Sequence, residues 1–270
     1  MGPSAGNPLF NWLSTTRDWP LANRASGLFV AVIILGSFGA IVYSGAATPD
    51  VQIWRAEWPH TDFAKHSTDL SEIMSGGPPK DGIPAIDHPR FERLASGKVA
   101  GWLARLHDTE PVISIEIDGD LRAYPIRILI WHEIVNDTID GQSVVITYCP
   151  LCGTGIGFES VMQGRRSTFG VSGLLYQSDL LMYDHQTESL WSQIAMEAVA
   201  GPMTGTQVKH LFLAHTTWQE WQHEHPSTLV LSTKTGYARD YDRDRYLGYV
   251  GRPDIMFAIN HVDRRYHPKE

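Results

Sequence analysis

The sequence predicts an α+β domain, mostly antiparallel β with short helices, preceded by one transmembrane helix. Three observations carry this. Strand-like runs outnumber helix-like ones from Glu110 onward, and no strand–helix–strand alternation of the kind that builds a parallel sheet runs through them. Asp118-Gly119, Asp140-Gly141 and Gln163-Gly164 stand between apolar or β-branched runs, where tight hairpin turns belong. Between Arg24 and Asp50 there is no charged residue at all.

That charge-free stretch exceeds the ~20 residues of helix that cross a bilayer core. Arg17 and Arg24 against the single Asp18 place a cytoplasmic arm at residues 1–24 and an anchor at 25–47. The alternative is a signal peptide cleaved among the small residues Ser44, Gly45, Ala46 and Ala47. In either case residues 50–270 face an oxidising space outside the cytoplasm. The expected location is the cytoplasmic (inner) membrane, single-pass, N-terminus inside and the C-terminal domain in the periplasm or outside. The membrane and other subunits of a membrane complex are the expected partners. A formal net charge of −8 over 270 residues gives no basic excess, so a nucleic-acid partner is not expected.

Residues 48–75 read as a tether, and turn-formers continue to Pro89. Residues 112–117 and 121–124 then form a hairpin around Asp118-Gly119. Pro125 opens a mostly buried helix over 126–135, with Asn136-Asp137 as its stop. A β-branched strand over 143–148 should be central and buried. Residues 155–159 and 167–171 read as a second hairpin around Gln163-Gly164, and 180–183 and 189–192 as short strands. Residues 217–225 form a helix capped by Thr216 or Thr217 and stopped by Pro226, and 229–232 a last strand.

The only two cysteines stand together in Cys149-Pro150-Leu151-Cys152-Gly153, directly after the central strand. A thioredoxin-like reading needs a helix start to lower the thiol pKa, and Gly153, Gly155 and Gly157 argue against one. A metal knuckle and a local disulfide stay open, because both use a tight turn that brings the sulfurs together. His132 is the candidate third ligand, returned to the strand's end by one helix and one turn. Glu133, Asn136 and Asp137 would supply acceptors that orient its imidazole. Met182, Asp184 and His185 are weaker candidates for a fourth position. Thiolate and thioether donors favour copper, with zinc the second choice and no metal if the pair is a disulfide. His210, His215, His223 and His225 read as solvated, residues 237–249 as an exposed hydrogen-bonded loop, and Asp179 with Asp184 as an unproven acid–base pair. No phosphate-binding loop, dinucleotide fingerprint, nucleophile elbow or His-Glu-x-x-His motif is present.

Several blocks carry a resemblance. Asp81-Gly82-Ile83-Pro84-Ala85-Ile86, Trp131-His132-Glu133-Ile134-Val135-Asn136-Asp137, Thr147-Tyr148-Cys149-Pro150-Leu151-Cys152-Gly153-Thr154 and Thr187-Glu188-Ser189-Leu190-Trp191-Ser192-Gln193, in this order, resemble the DUF3179 family. The resemblance runs from about residue 76 to the end and implies a domain of 76–270 behind an export or anchor segment. Members often continue beyond the point matching Glu270, so a short or truncated member is expected, and His185 stands where arginine is common. The family was defined without a function. The expectation is therefore a membrane-anchored extracytoplasmic protein with a Cys/His site for metal or redox work. The alternative is an accessory subunit of a membrane complex with a structural disulfide. The sequence does not decide whether the protein is an enzyme.

Overall fold

The computed structural model describes residues 56–94, 101–249, 251, 252, 256, 257 and 259. The arm at 1–24 and the span at 25–47 lie outside the described residues. Among the described residues no helix is long and apolar enough to cross a membrane.

In chain order come β1 (Ile73–Ser75), β2 (Phe91–Arg93), β3 (Pro111–Ile117), β4 (Asp120–Pro125), α1 (Ile126–His132), β5 (Ile134–Ile139) and β6 (Gln142–Cys149). Then follow β7 (Thr154–Glu159), β8 (Val161–Met162), β9 (Arg165–Arg166), β10 (Phe169–Tyr176), β11 (Asp179–Asp184), β12 (Leu190–Ser192) and β13 (Glu197–Ala200). The chain continues through β14 (Lys209–Leu211), β15 (Ala214–Thr217), α2 (Trp218–Glu224) and β16 (Leu229–Leu231). The strands form three larger sheets, ordered β1-β10-β11-β12-β13, β14-β7-β6-β5 and β15-β3-β4-β16-β2, and β8 pairs with β9 alone. Every ladder between these strands is antiparallel except β16 on β4. The architecture is α+β, as the strand count and hairpin signals predict.

Local chemistry explains the hairpins. Asp140 (φ 44°) and Gly141 (φ 78°) both take positive φ between β5 and β6, the turn whose twist matches two antiparallel strands. β6 lies inside its sheet, and Val144, Val145, Ile146 and Thr147 are all fully buried, so the expected central strand is there. Phe158 of β7, Phe169 of β10 and Trp191 of β12 meet edge to face, with ring centroids 5.0 and 5.5 Å apart, and join two sheets into one core. Thr217 caps α2 in a capping box with Glu220, leaving Trp218 and Trp221 to pack against the third sheet.

Three expectations need correction. The helix expected over 126–135 ends at His132: Glu133 turns the backbone to φ 58°, and Asn136 and Asp137 lie within β5 instead of stopping a helix. A buried β-branched run such as Ile134-Val135 suits a strand as well as a helix, and pairing with Thr147 and Ile146 decides it. The hairpin expected between 155–159 and 167–171 does not form. β7 is already paired on both edges, by β6 and β14, so Gln163-Gly164 closes only the small β8–β9 excursion and β10 goes to β11. The segment read as a tether also joins the core: Trp58 and Phe63 are buried and β1 pairs with β10. Residues 76–82 then lie close against β10. Gly173 (φ 77°) allows that approach, because a Cβ there would stand 2.1 Å from the Pro78 carbonyl oxygen.

Candidate metal centre

β6 ends at Cys149, pairs it with Thr154 across the turn, and leaves Cys152 at the turn's exposed rim. The β10–β11 hairpin delivers the third donor. Its two turn residues, Gln177 (φ 51°) and Ser178 (φ 64°), both adopt the left-handed region without a glycine, and Asp179 follows. Sγ of Cys149, Sγ of Cys152 and a carboxylate oxygen of Asp179 all lie within 4.8 Å of one another. Both cysteines are free thiols. Cys152 Sγ is 3.3 Å from Asp179 Oδ1, and the other carboxylate oxygen accepts from the Ile194 amide at 3.2 Å. Gln193 stands beside the same turn, donating to Thr147 Oγ1 at 2.8 Å and to the Thr154 carbonyl at 3.1 Å.

The electrostatics of the pair are asymmetric. The Cys149 thiol donates to the Cys152 sulfur and is buried, and both effects push its pKa up. The same hydrogen bond pulls Cys152 down, helped by Thr154 and opposed by burial and by Asp179. Burial raises Asp179. Cys152 is thus the more readily ionised and the more accessible sulfur.

The other expected site residues have different work. His132 is fully buried outside this cluster. Its Nδ1 lies 2.8 Å from the Pro84 carbonyl, which can only accept, so Nδ1 carries the proton and Nε2 accepts from the Tyr241 hydroxyl at 2.7 Å. Burial holds His132 neutral, with a pKa pushed down to about 4. Asn136 joins β5 to β10, accepting from the Phe169 amide and donating to the Phe169 carbonyl, both at 2.8 Å. Asp137 binds Arg122 and the Tyr124 hydroxyl. Met182 is core, beside Trp191 in the β11–β12 pairing. His185 faces Thr168 at the surface, its Nδ1 2.7 Å from the hydroxyl oxygen. Asp184 organises a turn and pairs across the ladder with Phe169, whereas Asp179 pairs with Tyr176, so the two acids sit at opposite ends of β11. Asp179 is the ligand candidate the cysteine spacing could not reveal, since 27 residues separate it from Cys152.

Glu133 alone retains an unexplained chemistry. Its side chain is 7% exposed. Burial, and secondarily the charge of Asp179, push its pKa from 4.5 to about 8, against the pull of Arg245. A carboxyl raised on folding favours its protonated form. Its contribution to stability is complete below the ordinary value and is lost as pH rises through about 8. In chelator-treated protein, Glu133→Gln is therefore expected to match the parent near pH ~5 and to exceed it by on the order of 3 kcal/mol near pH ~8.5. Urea titrations at both pH values measure this, and a difference that does not grow with pH overturns it.

Among family models, the one described as "Protein of unknown function (DUF3179)" matches residues 80–270. No curated protein and no solved structure matches the chain.

Proposed function

This chain belongs to the DUF3179 family, and we propose that its domain binds one zinc ion through Cys149, Cys152 and Asp179 on the outer side of the membrane that residues 25–47 anchor it to. The observation that supports this is the convergence of two free thiols and a carboxylate within 4.8 Å, from two hairpins belonging to different sheets. Zinc takes sulfur at ~2.3 Å and carboxylate oxygen at ~2.0–2.2 Å, so a modest contraction of the three donors completes a tetrahedral face. The donor set also favours one metal over the other. Copper drew its support from thiolate and thioether donors, and the Met182 thioether lies outside the cluster. Two thiolates with a hard carboxylate suit zinc better than copper(I). Three protein ligands leave a fourth position for water or substrate, the pattern of reactive rather than purely structural zinc.

Elemental analysis of full-length protein purified without chelator tests the reading. About one zinc per chain is expected, and a metal-free protein that takes up none on titration overturns it. One observation favours a second reading, a dithiol–disulfide couple: Cys152 is exposed and Cys149 buried, as an attacking and a resolving thiol would be. Metal-free protein that titrates as a two-electron thiol couple would support that reading instead.

A further inference from the structure

The loop after β16 was expected to be an exposed surface of alternating Arg, Asp and Tyr. Its acids take partners of their own. Asp242 turns to Arg105 and Arg127, and Asp240 and Asp244 accept backbone amides within the loop, those of Asp242 and Tyr246. Two of its arginines gather on one indole. The guanidinium carbon of Arg245 lies 4.5 Å from the centre of the Trp131 ring, and that of Arg239 lies 6.0 Å from it. Arg239 and Arg243 both disfavour the charge of Arg245, with burial the larger cause, and Glu133 partly offsets them. Such a concentration of positive charge is unusual in a chain of net charge −8.

Two donors in this group lack an acceptor. Trp131 Nε1 and Arg239 Nε are buried and find no hydrogen-bond partner among the described residues. Buried N–H groups without partners cost stability, and both of these can only donate. The group also adjoins the candidate metal centre. Trp131 precedes Glu133 by two residues, Tyr246 lies near enough to Glu133 and Cys149 for their ionised forms to raise its pKa beside the larger effect of burial, and the Tyr249 hydroxyl donates to the Leu151 carbonyl within the cysteine turn at 3.1 Å.

We propose that Trp131, Arg239 and Arg245 bind an anionic group, carboxylate or phosphate, of the molecule brought to the metal centre. An anion supplies the acceptors that the two orphaned donors lack, and guanidinium matches the planar or tetrahedral oxyanion geometry. The inference names the substrate class for the zinc reading and rests on it for what happens beside the anion, but anion binding itself does not need the metal.

Calorimetric titration of detergent-solubilised full-length protein with inorganic phosphate and, separately, with acetate, at constant ionic strength, tests it. Saturable binding of about one anion per chain is expected with or without bound metal. Trp131→Phe, which keeps a ring and removes the N–H, and Arg239→Gln should each weaken it roughly 10- to 100-fold. Zinc content should be unchanged in both. A response to phosphate alone assigns a phosphate ester, and one to acetate alone a carboxylate. No saturable binding of either anion, or binding unaltered in both folded variants, overturns the proposal. Anion binding by a protein that holds no zinc overturns only the metal reading.

Discussion

Cys149→Ser and Cys152→Ser are each expected to reduce zinc from about one ion per chain to background, while the fold survives. A serine hydroxyl does not ionise at neutral pH and is a far poorer zinc ligand than thiolate, so two remaining donors are too few to hold the ion. The two substitutions should nevertheless differ in stability. Cys149 is fully buried within the core that includes Ile134, Phe158 and Phe169, and a hydroxyl placed there loses packing. Cys152 is exposed, so its replacement should remove metal at little cost to the apo fold. Asp179→Asn is the graded member of the series: it keeps the shape and a carbonyl donor but removes the charge, so zinc should bind more weakly without vanishing. Elemental analysis gives the metal content and urea denaturation of apo protein gives the stability. Full zinc occupancy in Cys152→Ser would exclude the site as drawn.

What the sequence revealed of this site, and what it concealed, follows from the range of the interactions. The cysteine turn was legible because a knuckle is a local object: two sulfurs, a proline and a glycine within five residues. Asp179 was not, because its position depends on β10 and β11 pairing in another sheet and on a Gln177-Ser178 turn that carries no glycine. Asp-Gly or Gln-Gly marked three of the hairpin turns, whereas the β10–β11 turn, which delivers the ligand, carries neither. His132 was misplaced for a related reason. Its approach to the cysteines assumed that the helix ran on to Val135, whereas the reversal at Glu133 starts a strand and leaves the imidazole between Pro84 and Tyr241. The capping box at Thr217 and the buried centre of β6 were readable because cap chemistry and β-branched runs act over a few residues.

Asp184→Ala is expected to cost about 4 kcal/mol, at the severe end for one substitution. A sequence reading that ranks Asp184 among metal ligands expects loss of metal instead. In the structure this carboxylate is fully buried and accepts at every side. The Gln186 and Thr187 amides donate at 3.1 and 2.7 Å, the Thr187 hydroxyl at 2.7 Å, the Ser189 amide at 3.2 Å and Trp191 Nε1 at 3.0 Å. These bonds fold the chain back from β11 into β12 and fix the indole whose ring packs on Phe169. Alanine orphans those donors in a dry interior, and each charge-assisted bond to a carboxylate contributes ~1.5–3 kcal/mol, though bonds within one network do not add. Asparagine should fall between, because its amide keeps one acceptor oxygen and turns an NH₂ group toward donors. Urea unfolding of apo protein by circular dichroism measures the series, with zinc content followed in parallel. A loss under ~1 kcal/mol, or zinc binding that disappears from a folded Asp184→Ala protein, would return Asp184 to the metal centre and remove its structural role.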